Sequence, residues 1–505
     1  MRKLIYILLL FSISLHSQNV YVATTGNDVT GNGTIGNPYA TWQTGIDSVL
    51  AGDTLFIRGG TYTTTTTTII DPSGSQGTVH GVSGTSFNNM VHIMNYPGET
   101  PVLDCSQHCD GFTGYNGGLD IYKAQYIHVK GLEIKNVFMC DSNKVSAGLS
   151  LAETANMIVE QCVIHQIGQR GMWIFSGAWN EGLDLDDNGD PVPPAIFSND
   201  STYILNNDIY TLCDTFVNNV GNAADGIKGH TYYGNYYEYR GNRVWDFSDN
   251  AIDISGQGVR VFDQNWEMPL ANYDGIVDVT AGRGGIKTGV VNPNYCLDTT
   301  ITFITVTRCL SIDGGFLDLD YDPYCTSNGK FYNNTAYTWK TGFTNNNVEG
   351  QNETTEWRNN IVYGTTDLTA DEVTPSWVSI IDRHDSIYTE SNNTWDAKSD
   401  GYPWFEAASD ITLTSEDFVT TDSATIADLF LAPRQSDGSL PSTFPVRLKP
   451  TSDLIDAGTD VGLSFSGTAP DIGAFEYTPG SATIPYSLGG STPLRLNGKT
   501  LIIRQ

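Results

Sequence analysis

Short segments with alternating apolar residues recur along this chain between about positions 91 and 367. Each segment is a strand-like stretch, then a polar pair containing Asn or Gly, then a second strand-like stretch. A strand of about five residues cannot bury its apolar face alone, but stacked copies bury one continuous core. Clear copies begin at Tyr126, Met157, Tyr203, Tyr237, Phe303, Lys330 and Glu356.

This repeat predicts an all-β fold, a right-handed parallel β-helix of about ten coils. Asn and Gly at the bends accept left-handed backbone, and stacked Asn side chains can form hydrogen bonds between coils. A β-propeller is the structural alternative, but no regular motif of four strands per blade is present. Segment 40–50 predicts an amphipathic helix that caps the open end of the core, with Trp42, Ile46, Val49 and Leu50 on one side.

The first residues have the pattern of a secretory signal. Arg2 and Lys3 precede an apolar run that is too short to span a bilayer. We therefore predict a secreted protein, located outside the cell, in a periplasm or on the cell surface. No later stretch is apolar enough for a membrane span. The predicted boundaries are a signal peptide at 1–17, a parallel β-helix domain at 18–478 with a flanking C-terminal segment at 402–478, and a tail of unclear role at 479–505.

Net charge limits the classes of ligand that the protein can bind, and the cysteine count allows two interpretations. A formal net charge of −31 argues against a nucleic-acid ligand, which requires a basic surface. An acidic protein that binds an acidic polymer needs a local basic group or a bridging metal ion. Eight Cys residues in an exported chain allow disulfides, but buried unpaired thiols in the solenoid core explain them equally well. We expect a monomer.

Carboxylates gather in one part of the repeat. Because inward positions of a coil are apolar, we expect Asp225, Asp249 and Asp253 to point outward, and their spacing fits neighbouring coils. Three carboxylates and the Asn250 amide oxygen would repel one another without a counter-charge. A hard cation that takes six to eight oxygen ligands resolves this, and Ca²⁺ is the natural choice. The alternative is that these acids are only solvated turn residues.

One lysine follows these acids within a glycine-rich segment. Lys287 lies between Gly285 and Gly289, so little bulk shields its amine. A lysine acts as a base when its pKa falls towards the working pH, and a nearby divalent cation lowers that pKa. Ca²⁺ with such a lysine suits β-elimination on a uronic acid, in which the base removes the C5 proton and the C4–O bond breaks.

Three motifs in this order carry a family resemblance. They are Asn222 to Gly226, Asp249-Asn250-Ala251-Ile252-Asp253, and Gly282 to Lys287. With them, the chain resembles polysaccharide lyase family 9, the pectate-lyase-like right-handed parallel β-helix enzymes. The opening around Tyr21 to Tyr62 and the tail from Ala432 to Tyr477 resemble the same family.

The resemblance implies a secreted, calcium-dependent lyase that cleaves a uronic-acid polymer such as pectate. It implies that Asp225, Asp249 and Asp253 bind Ca²⁺ and that Lys287 is the catalytic base. Asn250 stands where the family pattern has a further acid, and we include it among the predicted metal ligands.

Four cationic residues near this region are candidates for binding the carboxylates of an acidic polysaccharide: Lys228, Arg260, Arg283 and Lys340. Solvated faces or turn pairs explain each of them equally well. Two other functions remain open from the sequence. One is a β-helix glycoside hydrolase of an acidic polysaccharide, and the other is a non-catalytic β-helix that binds carbohydrate.

Overall fold

The computed structural model describes most of the chain between residues 17 and 479. The described ranges are 17–108, 115–139, 145–175, 201–212, 224–231, 236–256, 258–269, 284–290, 302–312, 316–321, 327–338, 343–345, 354–364, 380–382, 387–395 and 411–479, with residues 495–496 and 499–500 near the C-terminus.

Three long parallel sheets run the length of the molecule, which confirms the predicted all-β, right-handed parallel β-helix. The first sheet has 12 strands. They are β1 (Asn19–Val22), β2 (Thr54–Ile57), β5 (Val91–Asn95), β8 (Ile127–Lys130), β11 (Ile158–Glu160), β14 (Ser201–Leu205), β17 (Tyr236–Arg240), β20 (Val259–Asp263), β23 (Thr302–Thr307), β26 (Ser327–Tyr332), β29 (Thr354–Arg358) and β32 (Ile387–Ser391).

The second sheet has 10 strands and the third has 11. The second comprises β4 (Thr68–Ile70), β7 (Tyr115–Tyr122), β10 (Val145–Ala152), β13 (Arg170–Phe175), β16 (Ile227–Thr231), β19 (Asn250–Gly256), β22 (Gly284–Val290), β25 (Leu317–Tyr321), β28 (Phe343–Asn345) and β31 (Ile380–Asp382). The third comprises β3 (Gly60–Thr63), β6 (Pro101–Asp104), β9 (Glu133–Val137), β12 (Val163–Ile167), β15 (Asp208–Leu212), β18 (Arg243–Phe247), β21 (Trp266–Met268), β24 (Leu310–Ile312), β27 (Thr335–Thr338), β30 (Ile361–Gly364) and β33 (Thr394–Trp395).

Each coil contributes one strand to each sheet in turn, so the 10 strands of the second sheet correspond to ten complete coils within the described ranges. Alternate strand residues point inward and form one continuous apolar core from Val20 to Val362. A separate antiparallel pair, β34 (Arg495–Leu496) and β35 (Lys499–Thr500), lies near the C-terminus.

A column of buried amides occupies the bend between the first and third sheets. The residue before each amide has a positive φ, as at Asn206 and Asn333, and this turns the chain sharply. In the clearest unit, Asn242 Nδ2 donates to Ile204 O at 2.8 Å and to Asn265 Oδ1 at 3.1 Å. This confirms the predicted bonding between coils. The column comprises Asn207, Asn242, Asn265, Asn334, Asn360 and Asn393, with Cys162 and Cys309 in equivalent positions.

The first coil is covered by helix α1 (Trp42–Ser48), as predicted. The helix begins after Thr41, whose side chain accepts a hydrogen bond from the Thr44 backbone N–H and so satisfies one free donor of the first turn. Trp42 and Ile46 are buried in the core. The prediction for Leu50 is wrong: the helix has ended before it, and its side chain is 58% exposed.

Residues 411–479 pack along the third sheet. This segment contains a 3-10 turn at Ser415–Asp417 and helix α2 (Ser423–Phe430), and it buries its own apolar cluster against Trp245 and Trp266. Arg243 anchors it by donating to Phe430 O and Ala432 O, both at 2.7 Å, while its guanidinium also pairs with Asp208.

Three cysteines lie in the described part of the chain. Cys105, Cys162 and Cys309 are buried and unpaired there, and burial raises the pKa of the Cys105 and Cys162 thiols to about 12. For these three, the buried-thiol interpretation is correct; the other five lie outside the described residues. No helix among the described residues is long and apolar enough to cross a membrane.

Candidate active site

Three charged side chains share one row across neighbouring strands of the second sheet. Lys228 on β16 is in register with Asp253 on β19, and Asp253 is in register with Lys287 on β22. Residues in register point to the same face of a sheet, on strands about 4.8 Å apart. Both lysines are partly exposed, whereas Asp253 is buried between them. The fold therefore places the predicted base one strand away from a predicted metal ligand.

The other two predicted acids lie at the start of these strands. Asp225 comes just before β16 and Asp249 just before β19. Asn250 joins them: its backbone N–H and its Nδ2 donate to Asp225 Oδ1 at 3.2 and 3.1 Å, and Nδ2 also donates to Asp249 Oδ1 at 3.0 Å. Its Oδ1 lies beside Gly284. In this arrangement Asn250 is a hydrogen-bond donor that bridges two carboxylates.

Lys228 forms ion pairs with two of the acids. Its Nζ lies 3.4 Å from Asp225 Oδ2 and also contacts Asp253 Oδ2. Burial alone would lower the pKa of Lys228, but the charges of Asp225 and Asp253 outweigh it and raise the pKa. The ammonium is therefore charged and held by the acids.

Lys228 compensates the negative charge of the acid cluster only in part. Burial raises the pKa of Asp225, which is 1% exposed, and Lys228 only partly offsets this. Burial first, and the charge of Asp225 second, raise the pKa of Asp249 to about 7, while Lys228 and Lys287 act in the opposite direction. A cation of higher charge than the Lys228 ammonium would relieve this shortage of positive charge.

We compared this cluster with the requirements of Ca²⁺. In the described part of the chain, no three His, Cys, Asp or Glu side chains converge into a ready-made metal site. However, the Lys228 ammonium stands in for a cation between the carboxylates of Asp225 and Asp253. The donors are all oxygens, the ligands that a hard cation prefers. The chemistry of this donor set therefore fits Ca²⁺.

The glycines on either side of Lys287 are required for two reasons, close packing at Gly285 and backbone conformation at Gly289. A Cβ on Gly285 would lie 1.7 Å from Glu267 Oε1 and 2.3 Å from the Phe316 carbonyl oxygen, closer than atoms can approach. Gly289 has φ +146°, a conformation that side-chain-bearing residues rarely adopt. The strand that carries Lys287 is thus packed closely against Glu267 and the next coil at Gly285.

The predicted substrate-binding cations have different positions. Lys228 lies within the acid cluster. Arg260 is fully buried, and its guanidinium donates to the carbonyl oxygens of Ile254, Gly256 and Gly289. It therefore holds the bend after β19 from inside the solenoid and does not reach the surface. Arg283 and Lys340 lie outside the described residues.

Two residues beside the acid cluster were not predicted from the sequence: Trp173, which belongs to the same row, and Arg170, which packs on its ring. Trp173 on β13 is in register with Lys228, and the Arg170 guanidinium lies 4.6 Å from the Trp173 ring centre. The charge of Arg170 also opposes the rise that burial causes in the pKa of Asp225. The signal was the repeat itself, since Arg170 to Phe175 is the copy of the strand one coil before Lys228.

Comparison with known proteins assigns the family. The model of the Pel9A-like, right-handed β-helix region matches residues 20–367. The chain belongs to this family. The assignment confirms the resemblance carried by the three motifs.

Known lyases are similar to this chain over most of its length. Pectate lyase L from Dickeya dadantii (strain 3937) is 25% identical over 470 residues, which is 90% of each chain. Pectate lyase L from Dickeya chrysanthemi is 24% identical over the same share. The crystal structure of pectate lyase Pel9A superposes with a TM-score of 0.58 at 21% identity, covering 92% of this chain and 97% of that one. A rhamnogalacturonan lyase gives 0.57 at 17% identity, covering 86% and 97%.

Proposed function

We propose that this Pel9A-like protein is a secreted, calcium-dependent polysaccharide lyase that cleaves a pectate-like polyuronate by β-elimination. The observation that carries the proposal is the register of Asp253 and Lys287, which sets an amine beside an acid cluster on one face of the solenoid. The pectate lyases that cover 90% of the chain support the same class of reaction.

Lys287 is the proposed base. Its amine lies on the outer face of the second sheet, where an extended polymer can lie across the coils, and it removes the C5 proton of a bound uronate. The elimination then breaks the C4–O bond: the electron pair of the C5–H bond forms a C4–C5 double bond in one product, and the departing oxygen takes a proton from water to become a hydroxyl of the other. The close packing of Gly285 within this strand fixes the backbone that carries Lys287, which matters because proton transfer requires hydrogen-bond reach.

Asp225, Asp249 and Asp253 would hold the calcium ion, with Asn250 beside them. When bound, Ca²⁺ would neutralise the uronate carboxylate and so acidify the C5 proton. The acids alone would repel the substrate, because they and the polymer carry the same charge. The chain's own contribution is to keep these carboxylates buried, close together and within two strands of the base.

The test is product analysis with polygalacturonate and other polyuronates, with Ca²⁺ and with a chelator. We expect ultraviolet absorbance from an unsaturated product that requires Ca²⁺. Lys287→Ala should lower kcat by about 10²- to 10⁴-fold, the usual contribution of a general base. Lys330→Ala, which removes an exposed lysine from the first sheet, serves as the matched control and should leave kcat unchanged.

Two results would contradict this proposal. Full activity in Lys287→Ala would exclude this lysine as the base. New reducing ends without an unsaturated product would identify a hydrolase instead, because hydrolysis adds water across the bond and leaves no double bond.

A further inference from the structure

The position of Lys228 has a consequence for metal binding. Asp225 Oδ2 and Asp253 Oδ2 come from neighbouring coils, and both contact the Lys228 ammonium. Asp225 is 1% exposed and Asp253 5% exposed, so the pair is largely shielded from water. A buried carboxylate pair needs a partner charge, and here the chain itself supplies one.

A bound Ca²⁺ and this ammonium need the same space. Calcium lies 2.3–2.6 Å from its oxygen ligands, whereas Lys228 Nζ is 3.4 Å from Asp225 Oδ2 and in contact with Asp253. An ion shared by these carboxylates would therefore lie within a few ångströms of Nζ, where the two positive charges repel strongly.

We propose that Lys228 is a built-in cation of the acid cluster: its ammonium fills the cation position between Asp225 and Asp253, and Ca²⁺ binds only by displacing it. This inference rests on the calcium part of the proposed function. It changes the role of Lys228 from a substrate contact to a competitor of the metal. The cluster is then neutralised in part without metal, at the cost of a weaker calcium affinity.

The inference is tested by calorimetric titration of CaCl₂ into the chelator-treated full-length protein and by its melting temperature in EDTA. Lys228→Met removes the charge but keeps most of the side-chain length. At an effective dielectric constant between those of a protein surface and water, loss of a nearby positive charge should tighten Ca²⁺ binding at least about tenfold. In EDTA the variant should melt below the wild type, and excess Ca²⁺ should restore its stability.

Two control variants separate charge from packing. Lys228→Arg keeps the positive charge and should bind Ca²⁺ with nearly wild-type affinity. Lys130→Met removes a lysine that pairs with Glu160 at 2.7 Å on the first sheet, and it should not change Ca²⁺ affinity.

The outcomes are distinct. If wild type and Lys228→Met bind Ca²⁺ equally tightly, or the variant binds it more weakly, the displacement inference is wrong while the calcium site stands. If neither protein takes up Ca²⁺, the calcium assignment in the proposed function is itself wrong, and the displacement inference fails with it.

Discussion

Replacing Asn242 with alanine should destabilise the solenoid far more than its small volume change suggests. Its side chain takes part in four hydrogen bonds, to Ile204 O, to Asn265 Oδ1 and from both Asn207 N and Asn207 Nδ2, at 2.8–3.1 Å. Asn242 and Asn207 are both fully buried. Alanine leaves the Asn207 N–H and the Ile204 carbonyl without these partners, and water cannot replace them.

A buried polar group that loses its partner costs about 1–3 kcal/mol, so two such groups predict a loss of about 2–6 kcal/mol. The assay is urea unfolding followed by tryptophan fluorescence, with the midpoint and slope compared to the wild type. Asn242→Cys should lose less stability than Asn242→Ala, because the chain already carries Cys162 and Cys309 in this column. The Cys309 Sγ accepts a hydrogen bond from Asn265 N at 3.4 Å.

The matched control is Asn88→Ala at an exposed turn, which should stay within about 0.5 kcal/mol of wild type. If Asn242→Ala unfolds with the same midpoint as Asn88→Ala, the buried amide column does not hold the coils together, and the reasoning from orphaned polar groups is refuted.

Two further predictions concern the site and its surroundings. Gly285→Ala should lower kcat by about 10²-fold, because the strand that carries Lys287 must move to escape the Phe316 carbonyl. Gly36→Ala, with open space around its Cβ, should have wild-type kinetics, and equal activity in both variants would contradict this. Asp246→Asn should be more stable than wild type at pH 8 but not at pH 4. Burial raises the pKa of Asp246 to about 7, so ionisation of the native acid costs stability as pH rises from about 4 through 7, by up to about 4 kcal/mol. Melting temperatures across this pH range measure the difference, and a constant difference would argue against it.

The coil architecture could be predicted because strand alternation and bend residues are local properties. Asn at the bends predicted both the sharp turn and the bonding between coils, since one residue type serves both needs. The position of Arg260 was not predicted, although strand alternation could have predicted it. It lies two residues before Phe262, and both are fully buried, so strict alternation places Arg260 inward. Its charge suggested the surface, but backbone carbonyls at the bend satisfy it inside.

The site was only partly predictable. Spacing indicated that Asp225, Asp253 and Lys287 lie on neighbouring coils. The number of residues in the loops between coils does not determine which residues pair, so the exact register could not be predicted. The ion pairs of Lys228 depend on side-chain distances that no spacing rule gives. Conversely, the glycines beside Lys287 were understood as leaving the amine open, whereas Gly285 is small because Glu267 and the next coil press on it.

The C-terminal segment also changes how the molecule carries mechanical load. A bare solenoid holds each coil only through its two neighbours, so a pull along the axis would peel the coils off one at a time. Here the segment contacts the coil of β11 and β12, where Gln161 donates to Asp437 O, and also the coil of β32 and β33, where Asn392 donates to Ala457 O. Tension along the axis between these two coils is therefore carried by the C-terminal segment as well as by the strand pairing of each successive coil.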